Sequence, residues 1–150
     1  MGVGNLLLEH WKRSGPTVNV GVSIQKIDEF EKRNLVALPS DFVEYLTLAN
    51  GFDQSENHQD NSGFSFWPIE CLCRVSEYAE GKWYFKKSED YFIFCDYLDL
   101  SWAYALCVGN EKNGEVWLVG AHDGKPQLIA QSFSEFASLY LENNSALYPI

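Results

Sequence analysis

The chain has 150 residues with a formal net charge of −10 at pH 7, which argues against nucleic acid as a direct partner and favours a basic protein. Hydrophobic residues make up 46% of the chain, enough for the core of a single domain over residues 1–150, and disorder is excluded. No apolar run approaches the roughly 18 residues of a membrane span, and residues 1–8 lack the basic region of a signal peptide, so we expect a cytoplasmic protein without a membrane partner.

The first helix is predicted to follow an irregular start. Residues 1–22 show no helical period, and we interpret them as an N-terminal arm or, because valines alternate over residues 18–22, an edge segment. From Ser23, which can cap a helix, apolar residues recur at helical spacing over residues 24–30. Lys32 and Arg33 follow, where the helix dipole favours cations, so a helix is expected to end there.

A second helix is predicted directly afterwards. Pro39 and Ser40 are typical of a helix start, and an apolar stripe then runs over residues 42–49. Asn50 and Gly51 are expected to end the helix, with a positive φ at Gly51, because glycine enters the left-handed region without steric cost.

The remaining chain has the patterns of a sheet. A polar loop is predicted over residues 53–62, a short strand over residues 63–68, and a helix or helical turn over residues 69–80. Two aromatic-rich runs, residues 91–95 and residues 102–108, have the length and composition of strands.

Two turns and a final helix complete the predicted fold. Asn113-Gly114 and Asp123-Gly124 are typical hairpin turns, leading to strands over residues 116–119 and 127–130. Residues 132–135 (Ser-Phe-Ser-Glu) form a capping box that opens a helix. The chain therefore predicts an α+β fold, with helices packed on an antiparallel, possibly mixed, sheet of about five to six strands.

Cysteine spacing argues against a metal centre. The four cysteines are Cys71, Cys73, Cys95 and Cys107. Disulfides do not fit a cytoplasmic chain, and the first two cysteines are one residue apart, unlike the usual paired ligands of zinc. We interpret all four as buried free thiols and expect no metal and no cofactor.

Catalytic motifs are missing from the sequence. It contains no GxSxG elbow, no Walker loop and no HExxH pair. His122 and Asp123 are a possible acid–base pair, but adjacent side chains in a turn point apart. A small enzyme is therefore the least favoured interpretation.

Charge distribution points to a binding surface. No Lys or Arg occurs between Arg33 and Arg74 or between Lys87 and Lys112, although both stretches are rich in acids. Such stretches can serve solubility alone or form a docking surface for a cationic protein. The candidate partner-binding residues are Asp53, Glu56, Asp60, Asp96, Asp99 and Trp102. Because the first three lie in a polar loop, their neutralisation is expected to leave folding intact.

Residues 38–46 (Leu-Pro-Ser-Asp-Phe-Val-Glu-Tyr-Leu), followed by Ala49-Asn50-Gly51, resemble the SUKH superfamily. This group contains the yeast cell-wall regulator of the Smi/Knr type and many bacterial immunity proteins. Further segments that look like family elements in family order are residues 24–30, 66–68, 92–96 and 132–136. The resemblance spans roughly residues 23–143 and departs from the family at Phe52, where relatives often carry glycine.

The resemblance implies an α+β fold without an active site. It also implies that bacterial members bind and neutralise toxins of contact-dependent or polymorphic secretion systems, often nucleases or deaminases. We therefore expect an immunity protein, a monomer or weak dimer, that binds a cognate basic toxin domain. The alternative is a regulatory or scaffold binding module of the Smi/Knr type with a housekeeping partner.

Overall fold

Helices and strands are interspersed along residues 2–109 and 112–150, the parts of the chain that the computed structural model describes. The helices are α1 (Val3–Ser14), α2 (Ile24–Asn34), α3 (Ser40–Leu48) and α4 (Phe133–Leu141). The strands are β1 (Val18–Val20), β2 (Ala49–Phe52), β3 (Phe64–Phe66), β4 (Cys73–Arg74), β5 (Tyr91–Tyr97), β6 (Trp102–Cys107), β7 (Val116–Val119) and β8 (Gln127–Ala130).

A six-stranded antiparallel sheet forms the centre of the fold. β5, β6, β7 and β8 pair in chain order, and β3 and β4 share the outer edge of β5. β1 and β2 form a separate antiparallel pair. The predicted α+β fold with an antiparallel sheet is confirmed, and every strand pair in the described ranges is antiparallel.

The two faces of the sheet are covered differently. Phe92 and Phe94 of β5 point to the helical side and join the main buried cluster, which also contains residues of all four helices. Tyr91 and Ile93, at the alternate positions of the strand, point to the other face. That face is covered by residues from the irregular segment 67–85 and by Trp117.

Local signals placed several elements correctly. Ser23 caps α2 by accepting a hydrogen bond from Lys26 N, and Ser132 caps α4 by accepting one from Glu135 N. Gly114 and Gly124 both have a positive φ in the turns predicted for them. These predictions are confirmed because each depends on residues close together in the chain.

The interpretation of residues 1–22 as an arm is wrong for most of that segment. Residues 3–14 form α1, which buries Leu7 and Trp11 completely or nearly so against the core. Glycines at positions 2 and 4 obscured the apolar spacing of this helix. The edge strand is confirmed, since Val18–Val20 pairs with β2.

Two further boundaries differ from the prediction. α3 ends at Leu48, and Asn50 and Gly51 lie in β2 instead of capping the helix, although Gly51 has the expected positive φ of 62°. Residues 69–80 form no continuous helix, although the alternative, a helical turn, is present at Ile69–Cys71 before β4. The segment Tyr78–Gly81 after β4 has positive φ values at Ala79 and Glu80 and is not a regular helix. Pairing of β4 with β5 takes precedence over the helical pattern there.

Candidate functional site

Two loops meet at the end of the sheet where β5 turns into β6. Leu98 N in this turn donates a hydrogen bond to Gly63 O at 2.9 Å. Asp99 Oδ1 accepts one from Gln59 Nε2 at 3.0 Å and lies 3.2 Å from His58 Nε2. The polar loop 53–62 is therefore fastened to the β5–β6 turn, although the two are about 40 residues apart in the chain.

We call this region the tip surface and define it by the exposed or half-exposed residues Asp53, Glu56, His58, Leu98, Asp99, Leu100 and Trp102. Sequence reasoning missed Leu98 and Leu100. The signal that identifies them is two leucines placed where a polar turn is expected, between two strand-like runs.

The exposed acids of the tip surface are suited to meet a cation. Hydrogen bonds from the Ser55 hydroxyl and backbone N–H lower the pKa of Asp53, so this carboxylate is ionised at neutral pH. Asp99 has a side chain that is 80% exposed, and Glu56 is exposed in the same loop as Asp53.

Other acids of the two stretches that lack Lys and Arg bond to residues elsewhere in the fold. Glu70 forms an ion pair with Lys26 at 2.5 Å, and Glu44 accepts a hydrogen bond from Gly4 N. Asp41 accepts hydrogen bonds from the backbone and side chain of Ser134 at the start of α4. Glu111 lies outside the described residues. The acidic stretches are therefore not one continuous surface.

Asp96 is not an exposed binding residue, contrary to the prediction. It is only 6% exposed, and its carboxylate accepts hydrogen bonds from Trp67 Nε1 at 2.8 Å and Leu100 N at 2.7 Å. Burial raises the pKa of Asp96, while these two hydrogen bonds act in the opposite direction. Asp96 holds the turn that carries Asp99, rather than facing a partner.

Asp60 is also buried, so the expectation that it belongs to an exposed loop surface is wrong. Its Oδ1 accepts hydrogen bonds from Ser62 N and Phe64 N, at 2.9 and 3.0 Å. Its Oδ2 accepts one from the hydroxyl of Tyr140, which in turn accepts one from Trp11 Nε1 at 2.8 Å. This network attaches the polar loop to α1 and α4.

Neutralising Asp60 should therefore disturb folding. We expect Asp60→Ala to lower the free energy of unfolding by about 2 kcal/mol, because several donors lose a charged acceptor in a buried position. Asp53→Ala, in the same loop, is the control and should leave the urea midpoint nearly unchanged, since the Asp53 carboxylate accepts its hydrogen bonds from exposed Ser55. Equal midpoints for the two variants would contradict this assignment.

Trp102 lies beneath the turn as part of an aromatic cluster. Its ring stacks on Tyr97 with centroids 4.8 Å apart and lies edge-on to Tyr148 at 6.3 Å. Its Nε1 donates a hydrogen bond to the hydroxyl of Tyr104 at 3.0 Å. Trp102 is half-buried, so it supports the turn and leaves only part of its surface open to contact.

The thiols are placed only partly as predicted. Cys95 and Cys107 are buried, as expected, but Cys71 is exposed and Cys73 is half-buried. Burial raises the pKa of both Cys71 and Cys73, so neither is activated as a thiolate. Within residues 2–109 and 112–150, no group of three or more His, Cys, Asp or Glu side chains has the arrangement of a metal site.

The His122–Asp123 pair has a turn role. Asp123 Oδ1 accepts a hydrogen bond from Lys125 N at 3.0 Å, which stabilises the turn between β7 and β8.

A groove of about 490 Å³ between α2 and residues 69–72 contains the Lys26–Glu70 ion pair. It lies apart from the tip surface and shares no lining residue with it.

None of the helices in the described part of the chain combines the length and the apolar character needed to cross a bilayer.

A comparison with curated proteins finds no match. A family model does match: residues 21–138, from just before α2 to within α4, fit the SMI1 / KNR4 family (SUKH-1). Because the match covers most of the chain and the α+β fold agrees with the resemblance seen in the sequence, the chain belongs to the SMI1 / KNR4 family (SUKH-1).

Proposed function

We propose that the chain is a non-enzymatic, cytoplasmic immunity protein, a monomer or weak dimer, that neutralises a toxin domain by covering it with the tip surface. The observation that carries this proposal is a surface of two loops joined by hydrogen bonds: one loop presents half-exposed Asp53 and exposed Glu56, and the β5–β6 turn presents exposed Asp99 between two exposed leucines. Protein interfaces commonly combine apolar anchors with a charged rim.

The charge of the surface suggests the class of toxin. A nuclease or nucleic-acid deaminase needs a basic cleft to hold phosphates. An acidic protein with a net charge of −10 is attracted to such a cleft and competes with the nucleic acid for it. This argument favours a toxin that acts on nucleic acid.

The titratable groups support binding over catalysis. The thiols of Cys71 and Cys73 have raised pKa values, and Asp96 and Asp60 are occupied by hydrogen bonds from the backbone and from aromatic side chains. In the tip surface, Asp99 bonds to the side chains of two loop residues. The three aspartates have structural partners in place of the nucleophile–base pairing typical of active sites.

The test begins with the genes beside this chain's gene, where the immunity role predicts a toxin gene, and then measures binding of that toxin domain as a catalytically inactive variant. A neighbourhood without a toxin gene would count against the immunity role. We expect the combined change Asp53→Asn, Glu56→Gln and Asp99→Asn to slow association about tenfold at low salt, because charge steers encounter. Dissociation should change less. The effect should shrink above 0.1 M salt, where the screening length falls below about 10 Å.

A matched control separates steering from net charge. Glu9→Gln, Asp28→Asn and Glu29→Gln also remove three exposed carboxylates, but from α1 and α2. This control should leave association nearly unchanged. Equal slowing by both sets would show that only total charge matters. A wild-type chain that neither binds the toxin nor protects cells from it would contradict the immunity role and favour a regulatory partner of the Smi/Knr type.

A further inference from the structure

The apolar part of the tip surface consists of two leucines that flank an exposed carboxylate. Leu98 is 49% exposed and Leu100 is 37% exposed, and the side chain of Asp99 between them is 80% exposed. Burying these leucines in the fold would be favourable, so their exposure costs solvation free energy in the free protein.

The backbone of the same turn is strained. Leu98, Asp99 and Leu100 have φ values of 45°, 51° and 67°, three consecutive residues in the left-handed region. This region is sterically unfavourable for side chains other than those of Gly, Asn and Asp. Leucine is therefore disfavoured at positions 98 and 100 by conformation as well as by exposure.

The turn is nevertheless held in one arrangement. Leu100 N donates to the buried Asp96 carboxylate at 2.7 Å, and Leu98 N donates to Gly63 O at 2.9 Å. The Leu98 side chain lies against Gly63, where a Cβ would come within 2.7 Å of Leu98 Cδ2. A turn that is held in place before binding loses little conformational entropy when it meets a partner.

We propose that Leu98 and Leu100 are the anchors of the tip surface, inserted as a pair into an apolar socket with a basic rim on the toxin domain. This inference rests on the proposed function and adds the chemistry of the partner. Asp99, between the anchors, meets the Lys or Arg side chains of the rim, and Asp53 and Glu56 extend the complementary charge. Such strained residues are typical of functional sites.

The experiment uses the combined variant Leu98→Asn and Leu100→Asn, with the inactive toxin domain of the neighbouring gene as the probe. Asparagine tolerates the left-handed region, and this gain offsets the packing lost where Leu98 contacts Gly63, so the melting temperature of the free protein should stay close to that of the wild type. The complex should dissociate at least about 30-fold faster, as for an interface hot spot, while association changes less than threefold.

Leu35→Asn is the matched control. Leu35 is also a leucine in the left-handed region, with a φ of 57°, and it is 90% exposed at the end of α2. This control relieves the same conformational cost, so the variant should stay folded, and the dissociation rate should not change. The single variants Leu98→Asn and Leu100→Asn keep the test valid if the combined variant folds poorly.

The outcomes distinguish the two proposals. A toxin complex that forms with the wild type and dissociates at the same rate from the Leu98 and Leu100 variants would overturn the anchor inference and leave the immunity role standing. Faster dissociation from the Leu35→Asn variant as well would also overturn it. Failure of the wild type to form any complex would contradict the immunity role itself.

Discussion

Replacing Trp11 by alanine should lower the free energy of unfolding by about 3–5 kcal/mol, the usual cost of truncating a buried tryptophan. Trp11 is 2% exposed, and its ring contacts Phe52 and Phe66 with centroids 4.9 and 5.0 Å apart. Its Nε1 also bonds to the hydroxyl of Tyr140, the residue that holds Asp60. Urea denaturation with tryptophan-independent detection by circular dichroism measures the loss.

Lys12→Ala is the control for Trp11→Ala. Lys12 is the next residue of α1 and points to solvent, where it pairs with Glu9 at 3.1 Å. Its replacement should change the midpoint little. A loss under about 1 kcal/mol for Trp11→Ala would show that α1 opens independently of the core. α1 lies before the family match, which begins at residue 21. The expected loss for Trp11→Ala would show that α1 nevertheless belongs to the same folding unit.

Gly51→Ala should lower the free energy of unfolding by about 3–4 kcal/mol, more than the left-handed conformation alone explains. Gly51 has a φ of 62° in β2. A Cβ there would lie 2.6 Å from Trp67 C and 2.7 Å from Phe66 O, both backbone atoms that cannot rotate away. Thermal or urea unfolding of the variant measures the sum of strain and overlap.

Gly124→Ala isolates the conformational part of that cost. Gly124 has a φ of 72°, and a Cβ built on it meets nothing within 4 Å. Its replacement should cost only about 1 kcal/mol. Similar losses for the two variants would mean that β2 shifts away from the Phe66–Trp67 backbone, and that the close approach does not require glycine.

Elements with strong local signals could be predicted from the sequence. The caps at Ser23 and Ser132 and the turns at Gly114 and Gly124 depend on residues within a few positions. The position of Asn50 in a strand could not be predicted in this way. Its side chain accepts a hydrogen bond from Ile69 N and donates one to Glu70, which are contacts across 19 and 20 residues that favour a strand over a helix end.

The candidate surface was only partly predictable, because the exposure of its residues depends on contacts between distant parts of the chain. Asp53, Asp60 and Asp96 look alike in a sequence, since each is an acid near polar residues or a turn. In the structure Asp53 faces solvent, whereas Asp60 and Asp96 are 7% and 6% exposed and hold loops in place. Burial of a carboxylate depends on donors from distant segments, here Tyr140 and Trp67.

The α+β class, the positions of α2 and α4, the hairpin turns, the acidic charge and the resemblance to the SUKH superfamily could all be inferred from the sequence. These follow from composition and from interactions between near neighbours. Three features became apparent in the folded protein: α1 packs into the core, Asp60 and Asp96 are structural, and Leu98 and Leu100 are exposed. Each of these depends on which distant segments pack together, and short-range periodicity carries no information about such contacts.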